Sequence, residues 1–87
     1  MFRVVWPSQA FDLVNAIIRD NPADRPRIAV ALRTLAAVLV HAPGTVGESR
    51  PYGHRFAYFE PLAVYFSVHP DRRVVRVVSV HLVRPPV

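Results

Sequence analysis

The sequence predicts an α+β domain of order β-α-α-β-β-β, a helical hairpin packed on one face of a small, mostly antiparallel sheet. Three observations predict it. A short aromatic and β-branched run at the start is stopped by Pro7. Two segments of helical apolar spacing follow, parted by Asp20-Asn21-Pro22. After residue 53 the chain changes to a period of two, interrupted by Glu60-Pro61 and by His69-Pro70-Asp71-Arg72.

The opening run, residues 2–6, reads as a strand. Ser8 is then an N-cap candidate, with Asp12 near the positive end of the helix dipole. Ala10, Leu13, Val14, Ile17 and Ile18 hold helical spacing to about Arg19. Asp24 is a second N-cap candidate, and Pro26 is tolerated in the first turn. Ile28, Leu32, Leu35 and Leu39 then form an apolar stripe, widened by Ala31 and Val38, until Pro43-Gly44 closes the helix. Two helices joined by so few residues should lie antiparallel.

Residues 45–53 are polar and without periodicity, so they read as a loop. Residues 54–59 form one strand and residues 62–68 the next, with Leu62, Val64, Phe66 and Val68 on one face and Ala63, Tyr65 and Ser67 on the other. The last strand covers residues 73–83, with Val78, Val80 and Leu82 facing one way and Ser79 and His81 the other. Residues 84–87, with two prolines, are not expected to extend the sheet. The hairpin must bury its stripe on one sheet face, which leaves Tyr65, Ser67, Ser79 and His81 on a partly polar second face. Function is expected there.

Composition bounds the class. With 87 residues the chain reads as one domain, and its 52% hydrophobic content argues for a core and against disorder. There is no cysteine, so neither disulfides nor a thiolate zinc site is expected. No stretch has the length of a signal-peptide core or a membrane span, so a cytoplasmic protein without membrane contact is the expectation. Eleven basic residues, all arginine, face six acidic ones for a net charge of +5. Arginine's planar donor fork suits phosphates and carboxylates, so the balance points to nucleic acid or an acidic protein as partner.

An ordered set of motifs now carries a resemblance. Ala10-Phe11-Asp12-Leu13-Val14-Asn15-Ala16-Ile17 matches A-x-x-L-x-x-I, and Leu39-Val40-His41-Ala42-Pro43 matches L-x-x-x-P. Gly47-Glu48-Ser49-Arg50 follows, then Arg55. Pro61-Leu62-Ala63-Val64-Tyr65-Phe66 approximates P-L-x-V-x-Y with its tyrosine one place early, and the last strand reaches V-x-V-H at His81. Over nearly its whole length the chain resembles the RelE/ParE superfamily of type II toxin–antitoxin systems. The resemblance implies a stress or plasmid-stabilisation toxin, held in a hetero-oligomer by a cognate antitoxin. RelE-like members cleave mRNA, free or on the ribosome, without a metal or other cofactor; ParE-like members inhibit DNA gyrase and are not enzymes.

Metal-free RNA cleavage needs a base for the 2′-hydroxyl, a cation for the phosphorane and an acid for the leaving oxygen. Carried onto this chain, Arg50 and Arg55 are the candidate phosphate clamp, with His81 or His54 as the acid/base group. Tyr52 and Tyr65 are candidates for stacking on bases, and Arg84 for contact with RNA or a protein partner. The four histidines show no metal-ligand spacing. Arg76 reads as a solvated edge charge, and His41 and His69 read as surface residues. The chain departs from the ribosome-dependent nucleases in having no lysine and in carrying Leu62 where they carry arginine. It also lacks their tyrosine-bearing tail. Three outcomes stay open: an mRNA interferase, a ParE-like gyrase inhibitor, or a remnant that only binds its antitoxin.

Overall fold

The computed structural model describes residues 1–84. In chain order they form β1 (Arg3–Val5), α1 (Ser8–Asp20), α2 (Arg25–His41), β2 (Glu48–Ser49), β3 (His54–Phe59), β4 (Leu62–His69) and β5 (Val74–Leu82). The expected α+β order holds, with the two-residue β2 added inside the segment expected to be a loop. The sheet order is β1-β5-β4-β3-β2. β1 runs parallel to β5, and every other pairing is antiparallel. Of the expected tail, residues 84–87, the last three lie outside the described residues. Among the described residues no helix is long and apolar enough to cross a membrane.

Local chemistry sets the helix ends, though not as expected at the first. Pro7, in extended backbone, takes the N-cap place of α1, and its carbonyl accepts the first helical bond from the Phe11 amide at 2.9 Å. Ser8 is therefore already inside the helix, and no side chain caps it. At the other end the Asn21 amide donates to the Ile17 carbonyl at 2.9 Å, satisfying an acceptor the helix leaves free. Asp24 does stand at the N-cap of α2, but makes no capping bond there; its carboxylate pairs instead with Arg27 at 3.5 Å and Arg84 at 3.3 Å.

The core lies between the hairpin and one sheet face. Ala10 and Val14 of α1 and Ile28, Ala31, Leu35 and Leu39 of α2 pack on Ala57, Phe59, Leu62, Val64, Phe66, Val75, Val77 and Val80. The buried line of α2 passes through Ala31, so Leu32 is only half-buried at its margin. Val78 departs from the expected alternation. A bulge sets Tyr65 opposite Ser79 and Phe66 opposite Val77, so Val78 has no partner on β4 and is exposed. The extra residue restores phase: Val75 and Val77 before it and Val80 after it are all buried.

Candidate nucleic-acid interface on the open sheet face

Residues directly opposite one another in a β ladder project to the same face, so the register maps the side that the helices leave open. One row runs His54, Ser67, Arg76; the next Phe56, Tyr65, Ser79; a third Tyr58, Ala63, His81. Arg3 and Val5 of β1 extend the face past Val74 and Arg76. The row between the first two, Arg55, Phe66 and Val77, faces the helices.

Arg55 therefore does not share a face with His54, Tyr65 and His81. Its Nε donates to the Val46 carbonyl at 2.8 Å and its Nη2 to the Gly47 carbonyl at 3.2 Å, fastening the segment before β2 to β3. The two members of the expected phosphate clamp and the histidines are thus not brought together on one face: successive strand residues point opposite ways, and the Arg55 guanidinium is engaged by backbone. Arg55→Ala should cost about 2–3 kcal/mol, because it orphans two acceptors of a charged donor. A thermal melt should show this as a fall of roughly 10–20 °C for a domain this size.

Arg50 is also engaged. It pairs with Glu48 at 2.8 Å, and its guanidinium lies 5.8 Å from the centre of the Phe56 ring. Gly47 has φ +71°, and a Cβ there would stand 2.1 Å from the Phe56 carbonyl oxygen. The Gly47-Glu48-Ser49-Arg50 motif is thus a device for docking β2 on β3, where Glu48 faces Phe56 and Ser49 faces Arg55.

The other candidates scatter. His54 stacks on Tyr65, with ring centres 5.2 Å apart and planes at 16°, and its Nδ1 lies 3.2 Å from the Pro51 carbonyl. His81 is exposed at the far end of the face, beside Ala63 and in the row of Tyr58. Four residues and two strand spacings part it from His54, roughly 16 Å between Cα atoms. The two histidines cannot serve one phosphate as a pair. Tyr52, 96% exposed at φ 62°, projects into solvent without a packing partner in the core. Arg84 is tied to Asn21 and Asp24 at the junction of the two helices, away from the open face.

A different group assembles around His54. Ser67, only 4% exposed, has its Oγ 3.0 Å from the His69 Nε2. Ser67 also stands between His54 and Arg76 in the ladder. Two imidazoles, a hydroxyl, a tyrosine ring and a guanidinium thus share one patch. The alternation of β4 already placed Ser67 beside Tyr65, and two residues further lies His69; only the pairing of β4 with β5 brings in Arg76. Among the described residues no three of His, Asp and Glu are grouped as metal ligands. Comparison of the chain with family models, with curated proteins and with solved structures finds no match.

Proposed function

We propose that this chain is the toxin of a type II toxin–antitoxin module of the RelE/ParE kind, and that it cleaves single-stranded mRNA, free or on the ribosome, on its open sheet face. The observation that carries this reading is the patch of His54, Tyr65, Ser67, His69 and Arg76 on a face that no helix covers. A ring pair in that setting offers a surface for a base, and stacking tolerates any base sequence. The imidazole of His54 accepts the 2′-hydroxyl proton as the oxygen attacks phosphorus. Arg76 balances the charge gathering on the phosphorane, and the 5′-oxygen leaves with a proton returned from the patch. His54 takes the acid/base role in preference to His81 because guanidinium charge lies across the ladder from it. As in the resemblance, no metal or cofactor takes part.

The antitoxin is the second half of the reading. The two helices, with Trp6 just before them, line an apolar concavity of about 530 Å³ formed by Trp6, Phe11, Val14, Leu32 and Ala36, with Phe11 56% exposed. An amphipathic acidic segment that folds as it binds would lay its apolar side there and its charge toward the basic surface. The same concavity favours a second reading, in which the protein acts by binding DNA gyrase through its hairpin.

Inducing the protein alone in a bacterial host and mapping mRNA 5′ ends within minutes separates the readings. New ends that vanish in a His54→Ala variant are the expected result. Growth arrest without new ends would replace cleavage by gyrase inhibition, and an absence of arrest would leave only antitoxin binding.

A further inference from the structure

Seven of the eleven arginines of this chain fall into two groups. Arg19, Arg27, Arg50 and Arg84 each pair with a carboxylate. Arg3, Arg72 and Arg76 make no ion pair and no side-chain hydrogen bond among the described residues, yet all three line one concavity of about 340 Å³. His69 completes its rim, and Val5 and Val74 are its remaining lining residues. Asp71, the carboxylate of the adjoining turn, pairs with none of them.

The backbone holds these cations in place. Arg3 is fixed by the parallel ladder opposite Val74, and its amide donates to the Arg73 carbonyl at 2.8 Å. Arg76 stands opposite both Val5 and Ser67. Arg72 lies in the turn after β4, where its amide donates to the His69 carbonyl at 3.2 Å. The next residue, Arg73, takes a left-handed conformation at φ 55°, and its guanidinium lies 5.8 Å from the centre of the Phe2 ring, against the core. The turn thus sends one arginine to the helix side and leaves its neighbour at the concavity. Three like charges lining one depression repel one another, and salt screens that repulsion only beyond a Debye length of about 8 Å. An anion with several oxygen acceptors relieves that repulsion and matches the guanidinium forks.

We propose that this concavity at the β1–β5 end of the open face is a phosphate-binding site, with Arg3, Arg72 and Arg76 as its cations and His69, held by Ser67, as a further donor. The phosphate comes either from a phosphodiester of an RNA strand or from a free phosphate group. The RNA source rests on the function proposed above, and the phosphate site itself does not. Along the open face the site runs on through Ser67 to His54 and Tyr65, so a strand anchored here has a base-stacking surface beside it.

The test compares wild type, an R72Q/R76Q variant and an R19Q/R33Q control that loses the same charge from the helices. All four positions are exposed, so folding should be retained, which thermal melts of each variant check. Fluorescence anisotropy with a short labelled single-stranded RNA should show affinity falling at least tenfold in R72Q/R76Q. The slope of log affinity against log salt should flatten by about 1.4 for two lost phosphate contacts. The control should stay within twofold of wild type. Equal binding by R72Q/R76Q and wild type would overturn the site. If wild type binds no RNA, inorganic pyrophosphate followed by NMR decides the source. Shifts at His69, Val5 and Val74 would keep the site as one for free phosphate while removing RNA from the function proposed above; unchanged spectra would overturn the site too.

Discussion

Replacing His54 by alanine is expected to reduce the rate of RNA cleavage by about 10²–10⁴-fold, the usual worth of one general acid or base. That corresponds to roughly 3–5 kcal/mol of transition-state stabilisation. Stability should change far less. His54 is half-buried, and its contacts are one stacked ring and one carbonyl, worth about 0.5–1.5 kcal/mol together. The two quantities therefore separate: single-turnover cleavage reports the loss, and a urea titration of the same sample reports a midpoint lowered by no more than about 1 M. His81→Ala is the paired control. It lies in the row of Ala63 and Tyr58, with no arginine among its ladder partners, and cleavage should survive its loss within a few-fold. A variant pair with the opposite ranking would move the chemistry to the other end of the sheet.

Gly47→Ala carries the largest expected loss of stability among surface positions. Its φ of +71° already disfavours any residue with a side chain. The added methyl would also stand 2.1 Å from the Phe56 carbonyl oxygen and 2.7 Å from the Ala57 Cβ. The first neighbour is backbone of β3 and cannot swing aside, so β2 must lift from the sheet. Strain and lost pairing together should cost about 2–4 kcal/mol, which lowers the melting temperature by roughly 10–25 °C. Gly44→Ala, with nothing within 4 Å of its added Cβ, should cost less than about 1 kcal/mol and serves as the comparison. Because Arg55 clamps the Gly47 carbonyl, Gly47→Ala and Arg55→Ala should be less than additive.

These contrasts show what the sequence conveys and where it stops. Apolar spacing and proline punctuation conveyed the element order, because both are local: Pro7, Pro22 and Pro43 part elements whatever the tertiary context. The open face was legible in outline from the alternation of β4, which sets Tyr65 and Ser67 apart from Val64 and Phe66. The same alternation implied that His54 and Arg55 point opposite ways, so the separation of these two candidates was available in the strand itself. What the sequence does not convey is register. The bulge that exposes Val78 exists only once β5 pairs with β4, and the row His54, Ser67, Arg76 depends on that pairing. Arg76, dull as an isolated letter, joins the patch of His54, Ser67 and His69 only through it. Gly47-Glu48-Ser49-Arg50, legible in the sequence only as part of a resemblance, has a structural use in docking β2 on β3.

The central claim is that RNA meets the open sheet face and not the helical hairpin. Photo-cross-linking of 4-thiouridine-containing single-stranded RNA, free and on programmed ribosomes, followed by peptide mapping, tests it most directly. The account predicts adducts on Tyr65 and His54 in β3 and β4, lost when Arg72 and Arg76 are both replaced by glutamine. Adducts confined to Trp6 and Phe11 at the concavity beside the helices, or none with either form of RNA, would contradict it.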